Sequence, residues 1–221
     1  MRRPRLLLPA LVAIALAASA ALVAAAERTV AAMPGALAEA VAGAQPGDVL
    51  FLAPGRYHGP VLLEIPLTLD GGGEAIIEGG GAGSVITVTG QDVTVRGLEI
   101  RGSGSRHEEI DAAIKLEREA RGTIVEDNVL VGNLHGVHVR GARDSLVRNN
   151  RIVGRSDHRM NDRGNGVYVW NAPGTVIEGN DIRLGRDGIF VNASNDGIFR
   201  GNLFRDLRFA VHYMHANNSE V

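Results

Sequence analysis

Apolar and polar positions alternate in short runs along most of the chain, and from Gly136 to Val221 the runs repeat. They read GVHV then DSLVRNNRI, GVYVW then GTVIEGNDI, GIFV then DGIFRGNLF, and AVHYMHANNSEV. The same half-line occurs upstream as TIVEDNVL and, without its asparagine, as TVRGLEI. A period of two predicts strands rather than helices. Asn128, Asn150, Asn180 and Asn202 stand 22, 30 and 22 residues apart, and Leu98 holds the equivalent place 30 before Asn128. A spacing of 30 is one of 22 with eight residues inserted, and self-similarity at such a period is the mark of a solenoid.

Aligned on the asparagine, the repeats place Arg96, Glu126, Arg148, Glu178 and Arg200 at one position, so charge sign flips at every coil. Coils stacked at strand spacing, roughly 4.8 Å, set each of these side chains between two of opposite sign. Like charges there would oppose stacking, so the alternation supports the register. Two places after the asparagine, Ile100, Leu130, Ile152, Ile182 and Phe204 form an unbroken apolar column, which predicts an interior. The asparagines are expected to stack and share amide hydrogen bonds up the turn. The fold expected is all-β: a right-handed parallel β-helix with coils of about 22 residues. A short amino-terminal helix over residues 36–42, of strong helix formers ended by Gly43 and Pro46, is expected to cap its first coil, followed by a strand over 48–53. PVLLEI, LTLDGG, AIIEGG, SVITV and TVRGLEI each read as a short strand closed by Gly or a polar turn. The Gly-rich stretches 71–73 and 79–83 read as turns, since neither opens a helix or carries the Lys and Ser/Thr of a nucleotide site.

Composition narrows the setting. MRRPR, the apolar run LLLPALVAIALAASAALV and the small residues AAAE describe a secretory signal over residues 1–26, leaving 27–221 as the β-helix domain. The chain has no cysteine, which removes disulfides and thiolate metal sites. It carries 23 basic and 25 acidic residues, and loss of Arg2, Arg3 and Arg5 with the signal makes the rest more acidic, which argues against nucleic acid as a partner.

Two constellations carry candidate chemistry. The eight-residue insertions, near residues 103–111 and 155–162, leave the coil at the same point two coils apart and are expected to project from one side; they offer His107, Glu108, Glu109, Asp111, Asp157, His158, Met160 and Asp162. The strands that begin GV turn Val137, Val167, Ile189 and Val211 inward and set His138, Tyr168, Phe190 and His212 in one outward column, with Trp170 and Met214 two places on. Such a row reads either as a contact surface for a partner or as aromatic stacking that stabilises the sheet. His with Met also suits copper. The candidate metal ligands are His212, Met214 and His215, then His158 and Met160. Tyr213 is expected inward and His215 at the turn, so the first three converge only if the strand ends there.

LTLDGGGEAIIEGGGAGSVITV with DVTVRGLEIRGSG, then RGNGVYVWN, GRDGIF and LRFAVHYMHANNSEV resemble the NosD family from about Pro46 to the last residue. The resemblance implies an exported parallel β-helix needed for maturation of nitrous oxide reductase. It implies a periplasmic accessory factor working with ABC transporter subunits, and with the reductase or a copper chaperone, to supply copper or sulfur to the reductase's copper centre. Contact with the membrane would run only through the partner. Members of the family are about twice this length and this chain stops in mid-coil, so an amino-terminal part is expected. The competing class is a β-helix lyase, hydrolase or epimerase acting on acidic polysaccharide. Its acids are not apparent: Glu126 and Glu178 sit in the alternating charge column, Asp187 lacks a second acid on neighbouring coils, and Lys115 is the one lysine.

Overall fold

The computed structural model describes residues 25–221; residues 1–24, which hold nearly all of the expected signal, lie outside it. It is a parallel β-helix with three faces. The first face is built from Ile124–Glu126, Leu146–Arg148, Val176–Glu178 and Ile198–Arg200, the second from Val129–Val131, Arg151–Val153, Asp181–Arg183 and Leu203–Arg205. The third is a seven-stranded sheet of Val61–Leu63, Ile86–Val88, Ala112–Leu116, His135–Arg140, Val167–Trp170, Asp187–Asn192 and Phe209–Met214.

Every predicted column is a vertical line of partners. Asp70, Arg96, Glu126, Arg148, Glu178 and Arg200 pair in that order along the first face. The charges close mainly in twos: Arg96 on Asp70 at 2.8 Å, Arg148 on Glu126 at 2.6 Å and Arg200 on Glu178 at 2.8 Å, with Arg96 a looser 4.0 Å from Glu126. Behind them Val95, Val125, Val147 and Ile177 are fully buried, and Ile100, Leu130, Ile152 and Ile182 line the next face inward. One coil therefore buries Val167, Val169, Ile177 and Ile182, each worth about 1.5–3 kcal/mol against exposure. A solenoid needs no larger core, because each coil is covered by its neighbours.

The asparagines form the predicted ladder. The Nδ2 groups of Asn128, Asn150 and Asn180 donate to Oδ1 of the next asparagine at 3.0, 3.0 and 2.9 Å, and each of those oxygens also accepts the backbone N–H one coil up. Leu98 N–H donates to Asn128 Oδ1 at 3.1 Å, so the ladder starts beneath a leucine that supplies only its backbone. A second column, which the sequence reading did not single out, turns the third corner: Thr123, Ser145 and Thr175 are buried and donate their hydroxyls to Ala120, Ala142 and Ala172 carbonyls at 2.8–3.0 Å.

The helix is Ala36–Ala42 as expected, and the strand after it is Val49–Leu52, a residue shorter at each end. Leu37 enters the core, and the helix lies against Glu27–Val30 and Val61–Leu63, so it spans the end of the solenoid between two faces. Glu27–Val30, too short to be read from pattern, pairs in parallel with Val49–Leu52. One expectation is corrected. LTLDGG and AIIEGG are not two closed strands but one, Thr68–Glu78, with Gly71–Gly73 inside it and a register shift between Asp70 and Ala75. Gly71 lies against Gly97 and Leu98 of the next strand, Thr94–Arg101, with no room for a Cβ. Hydrogen bonding therefore continues round this corner, and the first two faces merge into one 13-stranded sheet.

Candidate functional site

The third face carries the outward column in the predicted register, with Lys115, His138, Tyr168, Phe190 and His212 as successive partners. Its rings touch all the way down. His138 stacks on Tyr168 at 5.1 Å and 15°, Tyr168 meets Phe190 edge-on at 5.0 Å, and Phe190 meets His212 edge-on at 4.9 Å. The strip is not exposed along its length, however. His138 is 2% exposed, and Tyr168, Phe190 and Trp170 are half-buried. Burial, then the nearby His135, Lys115 and Arg140, push the His138 pKa down to about 3, and neither of its ring nitrogens has a partner. In the next column Trp170 lies beneath Arg140, whose guanidinium is 5.9 Å from the indole and 3.0 Å from Glu117.

The two insertions do leave from one side, and they tie to each other. The His107 ring approaches the Asp162 carbonyl at 3.1 Å through Nε2, and Arg155 donates to Ser105 Oγ at 2.6 Å. Arg155 also clamps Asp157 through two bonds of 3.0 and 2.6 Å. The first insertion, through His107 and Ile110, walls an open cleft of about 340 Å³ over the third face. Tyr168 and Phe190 also line it, and His212 and Met214 stand at its far end. His158 and Met160 are not brought to it. His158 faces Asp157 at 3.1 Å, and Met160, 41% exposed, opens the 3-10 turn Met160–Asp162.

At the far end is a cluster that the sequence reading passed over. Asp187 is 1% exposed and receives Arg208 on both oxygens, at 2.9 and 2.7 Å, together with His212 Nδ1 at 3.0 Å. Burial alone would raise the Asp187 carboxyl, but the hydrogen bonds from Arg208 and His212 outweigh it and hold it below the usual range. An ionised carboxylate only accepts, so His212 Nδ1 carries a proton and Nε2 is the ring nitrogen not engaged by Asp187. The 3.3 Å approach of Arg208 to Nδ1 is then a shared attachment to Asp187 rather than a third hydrogen bond. The coil period holds the clue, since it sets Asp187 opposite Phe209, one residue from Arg208.

Met214, 41% exposed, follows His212 on the same side of the strand. Tyr213 pairs with the inward Val191, its ring 6.0 Å from Phe199, as alternation requires. His215 has φ 52° and occupies the left-handed turn position held by Gly141, Asn171 and Ala193 in earlier coils. It lies past the strand and does not line the cleft, so His212, Met214 and His215 do not converge. Among the described residues no three His, Cys, Asp or Glu side chains stand at metal-binding spacing.

At the loop end, His135 is 5% exposed and Asn165 N–H donates to its Nδ1 at 3.0 Å. Burial, then His107 and Arg186, push its pKa down to about 3, so the ring is neutral and its one proton is on Nε2. The acids a polysaccharide enzyme would need are otherwise engaged: Glu126 by Arg148, Glu178 by Arg200 and Asp187 by Arg208.

Residues 148–221 match a family model described as "Periplasmic copper-binding protein (NosD)". Two proteins called "Probable ABC transporter binding protein NosD" are similar over 137 residues. That of Pseudomonas aeruginosa is 36% identical and that of Stutzerimonas stutzeri 34%, over 62% of this chain and 32% and 31% of theirs. The chain spans about a third of the length of these curated relatives. Among solved structures, an alginate lyase from Paenibacillus superposes with a TM-score of 0.60 at 19% identity, over 81% of this chain and 76% of that one. Pectate lyase Pel9A gives 0.64 at 16%, over 79% and 52%. At these identities the likeness is one of fold.

Proposed function

Starting from the NosD family, which these matches support, we propose that the protein is a periplasmic accessory factor that carries copper toward assembly of the copper centre of nitrous oxide reductase. It acts beside an ABC transporter and exchanges the ion with the reductase or a copper chaperone. Copper is its cargo. The observation that carries the reading is His212, whose Nδ1–H is anchored on the buried Asp187 so that Nε2 is left free in the cleft it shares with Met214. A histidine fixed through its other nitrogen by a carboxylate is the usual form of a metal ligand, and imidazole with thioether suits Cu(I). Asp187 is a positioning residue, itself steadied by Arg208. His215, at the turn and outside the cleft, stands apart from this pair, and His158 and Met160 on the second insertion form a separate, weaker donor pair. The half-exposed edges of Tyr168, Phe190 and Trp170 are the contact surface for the exchanging protein, with His138 behind them as support.

Among the described residues no helix is long and apolar enough to cross a membrane. The test is Cu(I) affinity by competition with a chromogenic chelator. His212→Ala and Met214→Ala should each weaken binding at least tenfold, Asp187→Asn by about 10–100-fold as for other outer-shell partners, and His215→Ala alone much less. Equal uptake by the wild type and a His212→Ala, Met214→Ala double variant would remove the copper proposal. New unsaturated ends on polygalacturonate or alginate would favour the enzyme instead.

A further inference from the structure

Along the edge of the same cleft where its strands begin, the sheet presents an unspent pair of donors. His135, Asn165 and Asp187 occupy one column at the start of their strands, and Arg186 adjoins it. His135 Nδ1 is taken by the Asn165 backbone, so the buried ring has one free function, its Nε2–H, and His135 is part of the cleft wall. Arg186 lines the cleft too, is exposed, and acts on His135 through its charge. Among the described residues its guanidinium has no carboxylate within salt-bridge distance and no hydrogen-bond acceptor. The neighbouring arginine, Arg208, is by contrast fully occupied by Asp187.

We propose that Arg186 and His135 Nε2–H form a binding site for a small carboxylate. Charge sets the class of ligand. Asp187 and Arg208 cancel, His135 is neutral, and Arg186 leaves one net positive charge in this part of the cleft, which matches a single negative charge. Geometry narrows it further. A guanidinium offers two parallel N–H groups to a planar carboxylate, and the imidazole adds one directional donor from the floor. The Tyr168 ring, 6.0 Å from that of His135, flanks the apolar side of such a ligand. The site does not depend on copper, and its test needs none.

The probe is sodium acetate, titrated into the purified protein at constant ionic strength, with the His135 Nε2 resonance followed by long-range ¹H–¹⁵N NMR. A saturable shift is expected, with a dissociation constant on the order of 1 mM, the range open to a ligand of a few atoms. Arg186→Gln should weaken it at least tenfold while circular dichroism and the other histidine resonances stay unchanged, because the exposed Arg186 side chain holds nothing in place. Chloride should bind more weakly than acetate. No saturable shift, or the same curve for Arg186→Gln, overturns the site. Chloride binding as well as acetate overturns the carboxylate class, and sulfate binding more tightly overturns the count of one charge.

Discussion

Asn150 is the sharpest test of how the coils are held together. Its Oδ1 accepts both the backbone N–H and the Nδ2–H of Asn128 at 3.0 Å, and the two Nδ2 hydrogens are shared among the carbonyls of Val125 and Arg148 at 2.9 Å and Asn180 Oδ1 at 3.0 Å. Leucine, which has the same branched heavy-atom skeleton with bulkier methyl ends, would keep the backbone bond from residue 150 to Asn180 Oδ1. The backbone N–H of Asn128, a residue 1% exposed, would have no acceptor, and the Val125 carbonyl would lose a donor. A buried unpaired donor costs about 1–3 kcal/mol and a lost net hydrogen bond about 1, so Asn150→Leu should destabilise by about 2–4 kcal/mol. With a urea dependence of about 2 kcal/mol/M, that lowers the midpoint by about 1–2 M. The control is the adjacent Asn149, at φ 55°, where the same turn position in other coils is Gly97, Gly179 and Gly201; Asn149→Gly should cost little. Urea unfolding by circular dichroism reads the midpoint, and amide exchange at Asn128 reads the local effect, which should accelerate in Asn150→Leu alone. Equal costs for the two variants, or a loss below about 1 kcal/mol for Asn150→Leu, would mean that the asparagine spacing reflects turn conformation and not a hydrogen-bonded ladder.

Three further outcomes are expected. Gly166→Ala should cost about 1–3 kcal/mol by overpacking, since its Cβ would meet the Gly188 carbonyl at 2.7 Å and the Ile182 side chain; Ala210, in the same column, has no coil stacked beyond it among the described residues, and Ala210→Gly should change thermal unfolding far less. His138→Phe should stabilise by about 1 kcal/mol, because it keeps the stack on Tyr168 and removes two buried nitrogens without partners. It should also flatten the acid side of the stability curve. His135 and His138 have folded pKa values of about 3 against an ordinary 6.5, so their contribution is complete above about pH 6.5 and is lost as pH falls toward 3, at up to about 1.4 kcal/mol per pH unit for each; an unchanged slope in His138→Phe would refute the assignment. Arg148→Glu, set between Glu126 and Glu178, should lower the urea midpoint more than Arg148→Gln does, and added salt should narrow the difference.

Much of this fold was legible without coordinates because in a solenoid the nearest neighbour in space lies a fixed number of residues away. Arg96 to Arg200, Asn128 to Asn202 and His138 to His212 could be aligned by counting, and a wrong register would have put charges into the apolar columns. The coil spacing and the alternation of strands determined these columns. They did not determine what lies outside one repeat. Nothing in the pattern says that the first insertion folds back beside the third face, and that His138 is buried while His212 is partly open follows from position along the solenoid and from cover, not from residue type. Asp187, Arg208 and His212 meet because side chains reach diagonally between coils, a matter of rotamer and not of register. The glycines at 71–73 likewise read as punctuation, and only their stacking against Gly97 lets the backbone bond continue round a corner. Periodicity fixes which backbones are adjacent; side-chain reach and loop packing, which have no period, fixed the cleft.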